Sequence, residues 1–147
     1  AHILVLMVPA LLLGGALGFQ HFGGLPPCEM CMWQRWPHVA ALVLGLAAFA
    51  GPRRTLVALA GVAVLGSAGA GLFHAGVEQG WWEGVTACTS TVAVGGSTED
   101  FLKSVMAKPL VRCDVIPWSW LGLSLAAWNA LISGLTGGAV LWLTLKR

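Results

Sequence analysis

The sequence predicts an all-α membrane protein, a four-transmembrane-helix bundle with a short amphipathic helix in its second outer loop. The 147-residue chain is 57% hydrophobic, with a mean hydropathy of +0.80, and only 10% of its residues are charged, against about 25% in soluble domains. Four apolar stretches approach the ~20 residues that a helix needs to cross a bilayer. This length suits a single domain, and a net charge of +2 argues against a nucleic-acid partner.

The four spans are predicted at about residues 2–19, 32–51, 55–76 and 118–145 of the 147-residue domain. They lack Asp, Glu, Lys and Arg, apart from Arg35 at the start of the second. The chain begins without an initiator methionine, so we expect a trimmed N-terminus. Glycines of the third span fit close helix packing and simple tolerance of small residues equally well. These glycines are Gly61, Gly66, Gly69 and Gly71.

The orientation follows from the basic residues. The tight turn Gly51–Arg54 carries two arginines, and Lys146 and Arg147 end the chain. Dense Lys and Arg in short flanks mark the cytoplasmic side, so we expect this turn and both termini in the cytoplasm. The loops at about 20–31 and 77–117 then lie outside, in the periplasm of a bacterium.

All four cysteines are in these outer loops, with Cys28 and Cys31 in the first and Cys88 and Cys113 in the second. Disulfides persist outside the cytosol, so we expect two pairs. Four cysteines allow three pairings in principle.

The second outer loop contains a pattern typical of a short amphipathic helix. Ser97 or Thr98 is placed to cap its first turn, and Glu99 and Asp100 follow where acidic groups favour the helix dipole. Apolar residues recur at helical spacing until Pro109 ends the pattern. The helix either lies on the membrane surface or packs on the loop itself, and the sequence favours neither.

The stretch LPPCEMCMWQR, Leu25–Arg35, carries the chemistry. Pro26 and Pro27 prevent a helix before them, so the second helix should begin close to Cys28. Both sulfurs then lie near a helix N-terminus, where the dipole and unpaired N–H groups stabilise a thiolate. Residues 28, 31 and 35 share one helix face. Arg35 would favour the thiolate or hold a ligand oxygen, although an arginine this near a helix end can also extend to the interface.

Histidine 74 is expected at the same depth as Cys31 and Arg35, which makes His74 the better ligand candidate. His38, one turn beyond Arg35, is expected to be structural. Gln34 and Glu78 lie near the same level and receive no role.

A Cys-x-x-Cys motif can be a metal half-site, a structural bridge or a redox pair. We predict no metal, because Cys88 and Cys113 are too far apart for a close second pair. A redox pair also explains the neighbouring cation. The sequence has no dinucleotide fingerprint and no iron–sulfur cysteine cluster, which leaves a lipid-soluble quinone as electron acceptor. Arg35 and His74 would hydrogen-bond its carbonyl oxygens.

Three segments carry a family resemblance. Pro27-Cys28-x-x-Cys31-x-x-x-Arg35, FHAGVEQGWWEG before Cys88, and RCD followed by PWSWLGLSLAAWN resemble the DsbB family of disulfide bond formation proteins. The resemblance implies a quinone-dependent protein-disulfide oxidoreductase of the bacterial inner membrane, surrounded by lipid. Such a protein reoxidises a periplasmic DsbA-type thiol oxidase and reduces ubiquinone or menaquinone.

The same resemblance implies the role of each cysteine. Cys88 would form the mixed disulfide with the partner, and Cys113 would be its mate. Cys28 and Cys31 would receive the electrons, with Cys31 in contact with the quinone. Arg35 matches the quinone-site arginine, and His74 matches the quinone-proximal histidine.

Three alternatives stay open at this point. The cysteines could be structural or bind metal in a non-enzymatic membrane module. The enzyme could serve a dedicated partner, as the short GLPPCEMC loop and the EQGWW segment suggest. A quinone-linked reductase of the vitamin K epoxide reductase type is disfavoured, because those proteins carry Cys-x-x-Cys late in the chain.

Overall fold

Helices dominate the computed structural model, which describes residues 1–86, 97–106 and 111–146. A two-stranded antiparallel hairpin precedes the last helix. In chain order the elements are α1 (His2–His21), α2 (Glu29–Ala47), α3 (Arg53–Glu78), α4 (Thr98–Met106), β1 (Ser119–Trp120), β2 (Leu123–Ser124) and α5 (Leu125–Leu145).

Three of these helices, α1, α3 and α5, are long and apolar enough to cross a membrane. Their outward faces carry exposed apolar side chains such as Leu11, Leu59 and Leu135, as expected where lipid covers the protein. The chain is therefore a membrane protein. Helix α2 has 19 residues, but its first half contains Glu29 and Arg35, which lower its apolar character. A fourth crossing by α2 stays a prediction.

Helix α2 begins directly after Cys28, in agreement with the position of the two prolines. Cys28 is its N-cap, with extended backbone (φ −78°, ψ 173°), and its Sγ accepts a hydrogen bond from the backbone N–H of Cys31 at 3.3 Å. A sulfur therefore takes the capping place that a serine or aspartate oxygen fills in most helices.

Helix α5 begins at Leu125 and not at Trp118, where the predicted span started. The residues in between form the hairpin, in which Ser119 pairs with Ser124 and Trp120 with Leu123. Its two turn residues, Leu121 (φ 52°) and Gly122 (φ 78°), both have positive φ, as a two-residue hairpin turn of this hand requires. The Oγ of Ser124 then caps α5 by accepting from the N–H of Ala127 at 3.2 Å.

Helix α3 is central and packs against α1, α2 and α5. A methyl group on Gly61 would lie 2.8 Å from Val140 Cγ1, and one on Gly71 would lie 3.0 Å from the carbonyl oxygen of Ala126. At Gly66 and Gly69 nothing lies within 4 Å of such a group. Close packing therefore explains the first two glycines, and tolerance of small residues the other two.

Two clusters in the interior of the bundle differ in character and lie at different levels along the helix axes. Near the turn between α2 and α3 lies an apolar cluster, made of Val5, Ala41, Ala48, Val57, Ala60, Val64 and Val140. Towards the cysteines lies a polar cluster of hydrogen-bonded side chains from α2, α3 and α5, made of Gln34, His38, Ser67, Asn129 and Ser133.

The ends of the second outer loop are tied together. The hydroxyl of Ser124 donates a hydrogen bond to the carboxylate of Glu78, which joins the end of α3 to the start of α5. Within the loop, Ser97 caps α4, since its Oγ accepts from the N–H of Asp100 at 3.3 Å. The predicted cap is therefore present, while contact of α4 with a membrane surface stays a prediction.

Candidate active site

The Cys-x-x-Cys motif holds two free thiols at the start of α2. The Sγ of Cys28 donates a hydrogen bond to the Sγ of Cys31 over 3.0 Å. This hydrogen bond, with burial as the second cause, raises the pKa of the Cys28 thiol well above its ordinary value. Cys28 therefore keeps its proton, and its donated hydrogen bond stabilises negative charge on Cys31.

The second cysteine site lies directly against the first. Cys113 is fully buried and disulfide-bonded. Its Sγ, the Sγ of Cys28 and a ring nitrogen of His74 all lie within 4.8 Å of one another. Cys88 lies outside the described residues. The fold therefore brings Cys28, before α2, next to Cys113, between α3 and α5.

His74 links these two cysteine sites. The ring is only 2% exposed, and its Nε2 lies 3.1 Å from the carbonyl oxygen of Cys113 and 3.6 Å from the Sγ of Cys28. Its Nδ1 accepts from the side-chain amide of Gln34 at 2.8 Å, so Nε2 carries the proton in the neutral ring. The carboxylate of Glu78 lies 3.8 Å from the same Nε2. His74 therefore presents an N–H to the space between the cysteines.

A cavity of about 200 Å³ lies on the other side of the motif, between α1, α2 and α5. Leucines of α1 and Phe19 form its apolar wall. Its polar groups come from Cys31, Gln34, Arg35, His38 and Asn129. An apolar cavity with a few convergent polar groups is typical of a small-molecule site. Cys31 lines this cavity and also accepts the hydrogen bond from Cys28.

Arg35 lines the same cavity, but its hydrogen bonds go to α1. Its Nη1 donates to Gln20 Oε1 at 2.7 Å and its Nη2 to the carbonyl oxygen of Ala16 at 3.4 Å. Cys31 and Arg35 thus line one cavity, while the guanidinium of Arg35 hydrogen-bonds α1 instead of a sulfur. A guanidinium has five N–H donors, so it can also hold a ligand oxygen.

The prediction that Arg35 and His74 bind one ligand together stays a prediction. His74 is not among the described residues that line the cavity, because its two ring nitrogens face Gln34 on one side and Cys113 on the other. Gln34 stands between them, since it lines the cavity and also donates to His74.

Sequence reasoning gave no role to two residues of the site, Gln34 and Asn129. The side-chain oxygen of Gln34 accepts from Asn129 Nδ2 at 3.0 Å, so these residues tie α2 to α5 beside the cavity. The available signal was a polar side chain in a mainly apolar span, since such side chains face the interior of a helix bundle. His38, expected to be structural, lies on the cavity wall as well.

Comparison with known proteins agrees with these features. The family model described as disulfide bond formation protein DsbB matches residues 1–143. The disulfide bond formation protein B of Marinobacter nauticus is 32% identical, over 98% of this chain and 90% of that protein. The protein of the same name from an Azoarcus species is 35% identical, over 94% and 87%. No solved structure matches significantly. A membrane bundle with a free Cys-x-x-Cys pair against a disulfide-bonded cysteine is thus a redox protein of disulfide bond formation, and the chain belongs to the DsbB family.

Proposed function

We propose that this protein is a thiol:quinone oxidoreductase of the bacterial inner membrane. It oxidises the dithiol of a periplasmic, thioredoxin-like DsbA-type protein and passes two electrons and two protons to ubiquinone or menaquinone. The observation that carries the proposal is the position of Cys31, whose sulfur lies 3.0 Å from that of Cys28 while the residue also lines the apolar cavity.

The first transfer takes place at the second outer loop. Cys88 and Cys113 form one disulfide, and a thiolate of the partner attacks Cys88 to form the mixed disulfide. The second partner thiolate then releases Cys88. The partner leaves with a disulfide, and Cys88 and Cys113 carry the two electrons as thiols. The disulfide-bonded state of Cys113 supports this starting point.

The second transfer runs between the two cysteine pairs. In the form with a Cys28–Cys31 disulfide, the thiolate of Cys113 attacks the sulfur of Cys28 and releases Cys31 as a thiolate. Cys88 then attacks Cys113 and releases Cys28, so one disulfide has been exchanged for another. The approach of Cys28 and Cys113 to within 4.8 Å supports this order. The N–H of His74 faces both sites and stabilises the negative sulfur.

The third transfer uses the cavity. A bound quinone supplies a two-electron, two-proton acceptor with two carbonyl oxygens on a flat apolar ring. The donors and walls of the cavity suit such a ring, with Arg35 to hold an oxygen and the leucines of α1 to cover the face. His74, expected to bind the quinone directly, is assigned here to the cysteines, because its Nε2 is turned towards them.

The topology proposed with this activity has four crossings, both termini in the cytoplasm and both cysteine loops in the periplasm. The polar first half of α2 then lies near the periplasmic surface. A water-soluble dithiol reaches the loops from outside, and a quinone reaches the cavity from the lipid.

Purified protein with a short-chain ubiquinone and a reduced DsbA-type protein tests the proposal. Quinone absorbance should fall as partner thiols disappear, one quinone for each dithiol. Cys31→Ser should abolish this turnover, and Glu29→Gln, an exposed neighbour in the same motif, should retain it. Turnover that persists in Cys31→Ser would contradict the assignment.

One observation favours a second candidate, a metal-binding module. Cys28, His74 and Cys113 present three donor atoms within 4.8 Å, which zinc accepts when all are free. The disulfide at Cys113 argues against it. Stoichiometric zinc in protein purified without reductant, together with absent turnover, would establish this alternative.

A further inference from the structure

His38 lines the cavity, but the proposed electron path gives this residue no role. It follows Arg35 by three residues on α2, lines the cavity, and is only 3% exposed. A histidine buried this deeply needs partners for both ring nitrogens, because an unpaired buried polar atom costs about 1–3 kcal/mol.

One ring nitrogen of His38 has hydrogen-bond partners. The Nε2 of His38 lies 2.9 Å from the side-chain oxygen of Asn129 and 2.9 Å from the Oγ of Ser67. Ser67 uses its own hydrogen on the carbonyl oxygen of Gln34 at 2.8 Å, so towards His38 it offers a lone pair. The amide oxygen of Asn129 is also an acceptor only. Both neighbours therefore require an N–H at Nε2.

The other ring nitrogen has no partner. Among the buried side-chain nitrogen and oxygen atoms of the described residues, Nδ1 of His38 is the one without a hydrogen bond. With the proton on Nε2, Nδ1 of the neutral ring carries a lone pair and can only accept. The matching ligand group is a donor such as a hydroxyl.

We infer that His38 binds the reduced form of the cavity ligand, a hydroquinone, by accepting a hydrogen bond from one of its hydroxyl groups at Nδ1. A quinone has two carbonyl oxygens and no O–H, so it cannot make this contact. Arg35 offers donors that suit the oxidised ligand, and His38 offers the acceptor that suits the reduced one. The inference rests on the proposed function and assigns a further binding residue to the same cavity.

Two substitutions test the roles of the two ring nitrogens of His38 separately. In His38→Gln the side-chain amide reaches the Nε2 position and keeps the contact with Asn129, while the acceptor at the Nδ1 position is lost. In His38→Asn the shorter side chain keeps an acceptor near the Nδ1 position and loses the contact with Asn129. The two variants therefore remove opposite halves of one side chain.

The experiment measures binding of a one-isoprenoid ubiquinone and of its hydroquinone under anaerobic conditions. All proteins carry Cys31→Ser, so that neither ligand exchanges electrons with the cysteines. Quenching of tryptophan fluorescence reports occupancy, since Trp128 lines the cavity. The quantity compared is the ratio of the two dissociation constants, which a general loss of packing does not change.

His38→Gln should reduce the preference for hydroquinone by about fivefold to tenfold, the effect of one buried hydrogen bond. His38→Asn should retain the preference and melt at a lower temperature. An unchanged ratio in His38→Gln, or equal changes in both variants, overturns the inference.

A second measurement does not depend on the folding of either substitution at position 38. In the Cys31→Ser protein labelled with ¹⁵N-histidine, the Nδ1 resonance of His38 should move on addition of hydroquinone and stay in place with quinone. Absence of that movement overturns the inference while quinone binding stands. If neither ligand binds at all, the proposed function fails with it.

Discussion

The polar and apolar clusters both join α2, α3 and α5, but different interactions hold their side chains together. In the apolar cluster, Val57, Val64 and Val140 meet through shape alone, and their side chains are 0–3% exposed. In the polar cluster, each contact joins a specific donor to a specific acceptor, as between Asn129 and Gln34. Several residue choices of similar volume satisfy the first arrangement, whereas few satisfy the second. The end of the bundle that holds the cysteines is therefore the more narrowly specified.

The largest loss of stability is expected from breaking the polar cluster at its centre. Asn129→Leu removes the partner of Gln34 Oε1 and leaves that oxygen unpaired in the interior. It also removes one of the two acceptors at 2.9 Å from His38 Nε2, which keeps Ser67 Oγ. We expect a loss of about 3 kcal/mol in the free energy of unfolding. Val64→Ala, the matched change in the apolar cluster, should cost about 1–2 kcal/mol. Thermal unfolding in detergent compares the two, and equal losses would argue against the distinction between the clusters.

Substitutions of glycines in α3 show how tightly this helix packs against its neighbours in different parts of the bundle. Gly71→Ala places a methyl group 3.0 Å from the backbone oxygen of Ala126 and should cost about 1–3 kcal/mol, because a helix backbone cannot move aside locally. Gly61→Ala meets the side chain of Val140 instead and should cost less, since a side chain can rotate. Gly66→Ala, with nothing within 4 Å, is the control and should be neutral or stabilising. Melting temperatures in the reverse order would contradict this account.

Arg35 lies beside the polar cluster, on the side that faces α1, and its substitution tests the role of that side in ligand binding. Arg35→Ala removes the hydrogen bonds to Gln20 and Ala16 and a donor for a ligand oxygen, so quinone should bind about tenfold more weakly. Arg35→Lys keeps the charge without the fork and should recover part of this loss. Gln20→Ala, which loses only the partner on α1, should bind quinone more tightly than Arg35→Ala does. Dissociation constants for a short-chain ubiquinone decide the order.

The smallest effect is expected far from both clusters. Ser97→Ala removes the N-cap of α4 and should weaken that helix by about 1 kcal/mol. Amide hydrogen exchange at residues 101–106 should become faster, while the melting temperature of the bundle stays unchanged. A lower melting temperature would show that α4 supports the bundle.

Local features of the fold were predictable because their causes are close in sequence. Pro26 and Pro27 preceded the helix start at Cys28, and Ser97 preceded α4 at the spacing of a cap. Helix α5 was placed too early, because a two-residue strand carries almost no periodic signal. The positive φ at Leu121, a residue that rarely adopts it, also leaves no mark in the sequence.

Only the part of the site that is set by spacing along a single helix was predictable from the sequence. The spacing of Cys28, Cys31 and Arg35 on α2 was sufficient to place them on one face. Which way His74 turns depends on how α3 is rotated against its neighbours, and this is decided by packing of Gly71 against α5 and by the hydrogen bond from Gln34 of α2. Such contacts join residues 40 or more positions apart, so no local pattern predicts them.

The bond between Glu78 and Ser124 has an evolutionary consequence. It joins the end of α3 to the start of α5, so the two ends of the stretch 79–123 lie side by side. The free energy of closing a loop rises only slowly with length, by about 0.6 kcal/mol for each doubling. Insertions and deletions between the positions of this stretch that contact the helices, such as Trp82 and Cys113, can therefore accumulate without moving the helices. The length of this stretch is free to diverge among related chains, while the helices that hold Cys31 keep their places.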